Sequence, residues 1–183
     1  MSFHPSLPER HHLSQLWKRF PRGLQPLLAL NDAFLRETDS DLEIGERELI
    51  AAHVSALNGC EYCYYSHIRY AGAFGIDEDV FGEMEVDIAH DSLRPAMTAA
   101  LLYAGKLTET PRSVEQRDYD GLLAAGWSED AINDIVNVTA LYGYMNRLLE
   151  GSGMKENIAA PSFDAGNARA SKYSDMLKVV QGG

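Results

Sequence analysis

Residues 46–74 read ERELIAAHVSAL-NG-CEYCYYSHIRYAGAF, and this stretch decides the fold. Its first part, residues 46–57, is rich in Leu, Ala and Glu, all strong helix formers. Asn58-Gly59 is a turn pair. A second helix is expected from Cys60 to about Phe74, with Gly75 just past its end as a left-handed cap. The same grammar extends outward in both directions. Upstream, Leu24, Leu27, Leu28, Leu30, Phe34 and Leu35 recur mostly three and four apart, as on one face of a helix. Downstream, residues 77–88 are acidic and helix-compatible, interrupted by Gly82, and residues 95–107 open with a proline that the first helical turn tolerates. Ser113 with Gln116 three residues on has the form of a capping box, opening a helix that closes near Ala125-Gly126. Ser128 caps a long segment with apolar residues at Ile132, Ile135, Val136, Val138, Leu141 and Leu148. Its Val, Ile and Thr content suits a strand, but an unbroken run of about 22 residues far exceeds the usual strand of about 5–6. After Gly151 the chain turns Gly-, Ala- and Ser-rich, with one short helix expected over residues 171–180. No repeat, low-complexity tract or alternating hairpin pattern interrupts this reading, so the fold class is all-α.

The 183 residues suit one domain, read here as 1–183 with a motif core at about 42–75 and a C-terminal extension at about 151–183. Sixteen Lys and Arg against 27 Asp and Glu leave a net charge of −11, which argues against a nucleic-acid face, because phosphate contacts need a basic patch. No apolar run approaches the roughly 20 residues of a membrane span. The start, MSFHPSLPERHHLSQLW, lacks the apolar core of a secretory signal, so a cytoplasmic setting is expected. Only two cysteines occur, three residues apart. A pair that close cannot staple a fold, and in a reducing compartment it points to redox or metal chemistry.

The chemistry sits in Asn58-Gly-Cys60-Glu-Tyr-Cys63-Tyr-Tyr-Ser-His67. With Asn58 as the helix cap, Cys60 falls at the second helical position, where unpaired N–H groups and the helix dipole favour thiolate. Cys63 and His67 lie one turn apart, and Cys60, Cys63 and His67 share an arc of roughly 60°. Two sulfurs and a proton acceptor on one face are what a dithiol with an attached base requires. Glu48, twelve residues before Cys60, lies in the preceding helix, which the turn folds toward the motif. Its carboxylate could hold the other imidazole nitrogen, or it could be one more solvated residue of the cluster Glu43, Glu46 and Glu48. Zinc would need a fourth ligand from Glu48 or His53, and no second Cys or His pair exists. Covalent haem is excluded because Tyr64, not histidine, follows Cys63. His53, His11 and His12 join no visible constellation. Tyr62, Tyr64, Tyr65 and Tyr70 crowd the motif helix and suggest an aromatic pocket, or ordinary packing.

The pattern Glu48-x11-Cys60-x2-Cys63-x3-His67, within LEIGERELIAAHVSALNGCEYCYYSHIRYAG, resembles the alkylhydroperoxidase D-like family of the carboxymuconolactone decarboxylase-like superfamily, in its peroxidase-related branch. It continues more weakly through Gly126-Trp-Ser-Glu-Asp and Tyr144-Met-Asn-Arg147. The resemblance implies a helical bundle, a homo-oligomer such as a trimer or hexamer, and thiol-dependent reduction of hydroperoxides without a cofactor or metal. Carried over, Cys63 matches the peroxidatic cysteine, Cys60 the partner that closes the disulfide, and His67 with Glu48 the proton relay. An external dithiol of lipoyl or thioredoxin type would restore the pair. Alkylhydroperoxidase D itself has a histidine immediately before the second cysteine, where this chain has Tyr62, a poorer proton carrier at neutral pH. The helix-end argument alone favours Cys60 as the lower-pKa thiol, whereas His67 and the family favour Cys63. A decarboxylase-like lyase, a redox sensor and a zinc-binding protein are the competing readings.

Overall fold

The computed structural model describes residues 2–154 and 163–182. Nine α-helices make up the described fold: α1 (Leu13–Arg19), α2 (Leu24–Leu35), α3 (Ile44–Leu57), α4 (Glu61–Ala73), α5 (Pro95–Glu109), α6 (Gln116–Ala124), α7 (Glu129–Gly151), α8 (Ala165–Ala170) and α9 (Met176–Gln181). No strand occurs among the described residues, only an isolated bridge between Phe81 and Val86. None of their helices is long and apolar enough to cross a membrane.

The centre of the bundle is α3, packed against α4, α5 and α7. Every residue from Gly45 to Ser55 is buried, so the helix has no solvent face over these three turns, and only its ends reach the surface. Its three buried charges are therefore each compensated. Glu46 accepts two hydrogen bonds of 2.5 Å from Arg94, and the Arg47 guanidinium donates to the carbonyls of Phe34 and Glu37. The third, Glu48, belongs to the site. The long α7 runs about 34 Å across the bundle, held at its start by Ser128, whose hydroxyl accepts from the Ala131 N–H. Its stripe of Ile132, Ile135, Val138 and Leu141 is buried within the chain itself and needs no second subunit to cover it.

The turn after α3 sets the position of the cysteines. Gly59 adopts φ +67°, its N–H bonds to the Ala56 carbonyl, and the Cys60 N–H reaches back to the Ser55 carbonyl at 2.9 Å. This pair of bonds closes α3 as a Schellman motif. Asn58 consequently ends α3 and does not cap α4, contrary to the sequence expectation. The cap of α4 is Cys60, in extended conformation, which places Cys63 at the third helical position. Gly75 (φ +96°) ends α4 as expected.

Three other sequence expectations are corrected. Residues 77–88 form only a 3-10 turn, Glu78–Val80, followed by the bridge. Acidic residues at 79, 83 and 87 repel at helical spacing, and the Tyr64 hydroxyl instead pins the loop, 2.6 and 2.7 Å from the carbonyls of Gly82 and Glu85. The cap of α6 is Glu115, boxed with Asp118, because Pro111–Ser113 is taken up in a 3-10 turn of its own. The C-terminal stretch forms α8, a 3-10 turn (Tyr173–Asp175) and α9, where one helix was expected. The buried Asp32 carboxylate on α2 accepts from the N–H groups of Tyr173 (2.6 Å) and Ser174, and Arg169 donates to the Ala73 carbonyl at the end of α4. These contacts clasp the C-terminal segment to α2 and to the end of α4.

Candidate active site

Glu48 is wholly buried and engages on both carboxylate oxygens. Oε2 accepts from His67 Nδ1 at 2.5 Å. Oε1 accepts from Arg36 Nη1 and, at 3.0 Å, from the Tyr173 hydroxyl. Burial by itself would raise the carboxyl pKa, but His67 first and Arg36 second outweigh it, so Glu48 is held below its ordinary value and stays ionised. Arg36, at the end of α2, lies over the rings of Tyr173 (4.5 Å), Tyr70 (5.0 Å) and Phe74 (5.3 Å), so an aromatic cage holds the cation against the carboxylate. Burial, followed by the neighbouring Glu48, pushes the Tyr173 phenol up, which keeps it protonated and a donor.

His67 is buried between this carboxylate and the ring of Tyr142, which it meets edge-on at 4.3 Å. With Nδ1 donating to the Glu48 carboxylate, the imidazole is held in the tautomer that carries its proton on Nδ1. Cys63, one turn before His67 on α4, lines the same cavity, whose volume is about 350 Å³. Cys60 is fully buried and does not line it. Both thiols are free, and they are close enough for each to shift the other's pKa. That proximity divides them. The Cys60 thiol is drawn down chiefly by the Cys63 side chain, with lesser help from the Cys63 amide and Asn146. The Cys63 thiol is pushed well up by the Cys60 side chain and then by burial.

The four residues singled out in the sequence, Glu48, Cys60, Cys63 and His67, gather as two pairs: carboxylate with imidazole, and thiol with thiol. His53 stands apart, its Nε2 against Gly105 on α5, with burial driving its pKa down to about 4. Among the described residues no three His, Cys, Asp or Glu side chains converge as metal ligands. The aromatic wall differs from the expected one. Tyr62 and Tyr70 line the cavity, whereas Tyr64 pins the 82–85 loop and Tyr65 packs on Tyr64. Trp17, Tyr142, Phe163 and Tyr173 complete the wall, and His12 also borders it.

Sequence reading missed Arg36, Tyr173 and Asn146. Arg36 and Tyr173 come from segments with no motif of their own. Asn146 on α7 is buried, donates to Ser55 Oγ at 3.0 Å and accepts from Asn58 Nδ2 at 3.0 Å, tying the dithiol turn to α3 and α7. Only its place in Tyr144-Met-Asn-Arg147 carried any signal.

The carboxymuconolactone decarboxylase family matches residues 22–106, from the start of α2 into α5. No curated protein matches the chain. Among solved structures, an uncharacterized peroxidase-related protein from Ralstonia eutropha, described as an alkylhydroperoxidase core, is 27% identical with a TM-score of 0.71, over 78% of this chain and 75% of its own. An uncharacterized peroxidase-related protein from a Silicibacter species is also 27% identical, with a TM-score of 0.66 over 72% and 68% of the two chains. Residues 22–106 thus match the carboxymuconolactone decarboxylase family, and the fold is similar to that of the alkylhydroperoxidase-core, peroxidase-related proteins.

Proposed function

We propose that the chain is a thiol-dependent peroxidase that reduces hydroperoxides through a Cys60/Cys63 dithiol–disulfide cycle. One observation carries the reading: Cys63 and His67 line one cavity, while Cys60, one turn before Cys63 and fully buried, waits behind it. His67 Nε2 takes the Cys63 proton, and the thiolate attacks the distal oxygen of the hydroperoxide. The O–O bond breaks, the alkoxide leaves as the alcohol with the proton from His67, and Cys63 is left as a sulfenic acid. The Cys60 sulfur, already the lower-pKa thiol, then displaces water and closes the disulfide, which keeps Cys63 off the irreversible steps of oxidation. An external dithiol, two electrons and two protons per cycle, returns both thiols. Tyr62, held protonated by burial, contributes to the wall and not to the relay.

The same reading includes a reducing, cytoplasmic setting and a homo-oligomer. Leu57 and Leu102 leave apolar surface exposed on α3 and α5 that a second subunit would cover. Gel filtration at trimer or hexamer mass supports the oligomer, and monomer mass removes it. The function is tested by thiol titration before and after one equivalent of cumene hydroperoxide, on wild type, Cys60→Ser and Cys63→Ser. Wild type should lose two thiols. Cys60→Ser should lose one, as a sulfenic acid that dimedone traps, and Cys63→Ser should lose none. Unchanged thiols in all three would sink the proposal.

A further inference from the structure

The matched family region ends at residue 106, yet the carboxylate at the heart of the site is completed by a residue much further along the chain. A buried carboxyl is a strong, charge-assisted acceptor for an imidazole N–H while it is ionised, and a carboxyl with no exposure ionises only against close donors. Glu48 has two besides His67: the caged Arg36 guanidinium and the Tyr173 hydroxyl, both on Oε1. Neither touches His67, and both leave Oε2 to it. Tyr173 reaches Oε1 because Asp32 anchors the N–H groups of the 3-10 turn that carries it. Tyr173 also walls the cavity and lies against the Arg36 cation, so one side chain both donates to Glu48 and steadies the second donor.

Resting on the peroxidase reading above, we propose that Tyr173 and Arg36 are positioning residues of the active site, holding Glu48 as the acceptor for His67 Nδ1 and so fixing the tautomer whose Nε2 deprotonates Cys63. The C-terminal segment is then a working part of the catalytic unit and not an appendage. The reach of the effect follows from the geometry. Loss of the Tyr173 hydroxyl removes one of the three donors to Glu48 among the described residues but keeps the ring that lines the cavity and lies against Arg36. Loss of the Arg36 charge removes the only cation paired with Glu48 other than His67 among the described residues.

The test uses Tyr173→Phe, Arg36→Gln and Arg36→Lys in the full chain, read in two independent ways. The first is the His67 tautomer by 15N NMR of the imidazole. The second is the single-turnover rate of Cys63 oxidation by cumene hydroperoxide. In wild type the NMR should show Nδ1 protonated and Nε2 bare. Tyr173→Phe should admit the other tautomer and slow oxidation about tenfold, the scale of one hydrogen bond to a charged group. Arg36→Gln should do more, and Arg36→Lys should recover most of the loss. A wild-type spectrum with Nδ1 bare, or a Tyr173→Phe spectrum and rate identical to wild type, overturns the positioning role. Should Arg36→Gln fail to fold, Tyr173→Phe decides alone, because the phenyl ring preserves the packing. If wild type leaves the hydroperoxide untouched, the peroxidase reading falls, while the tautomer in Tyr173→Phe still decides the positioning role.

Discussion

Replacing Glu48 with Gln probes the electrostatics at the centre of the fold. The substitution keeps the shape of the side chain and removes its charge, leaving the Arg36 guanidinium buried, with a side-chain exposure of 5%, and without its anion. Breaking a buried pair by removing one partner costs about 3–5 kcal/mol, and the Gln amide oxygen still accepts one hydrogen bond, so about 3 kcal/mol is expected. For a chain of this length each kcal/mol lowers Tm by about 2–4 °C, giving a fall of about 6–12 °C. The matching variant Arg36→Gln strands the carboxylate instead. The double variant strands neither charge, so its loss should fall short of the sum of the two single losses by about 2 kcal/mol. The pH dependence has a definite sign. Because the folded pKa of Glu48 lies below its unfolded value near 4.3, its contribution is fully present above that value and fades as pH falls through the lower folded value. The gap between wild type and Glu48→Gln should therefore be constant at neutral pH and narrow below about pH 4. Urea unfolding across the three variants and wild type, at pH 7 and pH 3.5, measures all of this. Single losses under 1 kcal/mol, or a double loss equal to their sum, would refute the picture of a tightly coupled buried pair.

Other expectations follow from the same structure. His67→Gln should retain the fold and oxidise Cys63 at least about a hundredfold more slowly, in line with loss of a general base, as single-turnover thiol loss would show. His53, with its pKa near 4, should not titrate between pH 5 and 8 by NMR. Its folded pKa is lowered, so stability should decline as pH drops from about 6.5 toward about 4, by up to about 3 kcal/mol. In a variant where Asn replaces His53 that decline should vanish. Gly45→Ala places a methyl 2.9 Å from the Phe74 carbonyl and 3.3 Å from Ile76, and the backbone there cannot yield, so about 1–3 kcal/mol of stability should be lost in denaturant unfolding. A neutral result would show that the α3 start and the α4 end are not locked together.

The extent to which the sequence was legible tracks how local each feature is. Helices α2, α3, α4, α5 and α7 were readable because apolar periodicity and the punctuation of Gly59, Gly75 and Ser128 lie within each segment. The acidic run at 77–88 misled because helix compatibility ignores like charges at helical spacing and ignores a tyrosine from α4 claiming the loop carbonyls. The cap of α4 was misplaced by two residues because Asn58 is a good cap residue in isolation. The Schellman closure of α3 takes the Cys60 N–H, and Cys60 becomes both the last link of one helix and the cap of the next.

The site divides along the same line. The sequence by itself determined the dithiol and the histidine, since Cys60, Cys63 and His67 sit on one helix where 3.6 residues per turn decides which side chains share a face. It could name Glu48 only as a candidate across a turn. Tertiary structure decided the rest: that Glu48 is buried and bonded to His67, that Cys63 and not Cys60 faces the cavity, and that Arg36 and Tyr173 hold the carboxylate from 12 and 125 residues away. Helical spacing fixes neighbours within a turn or two. A buried charge recruits whatever donors the packing brings to it, and no short stretch of chain records which ones those are.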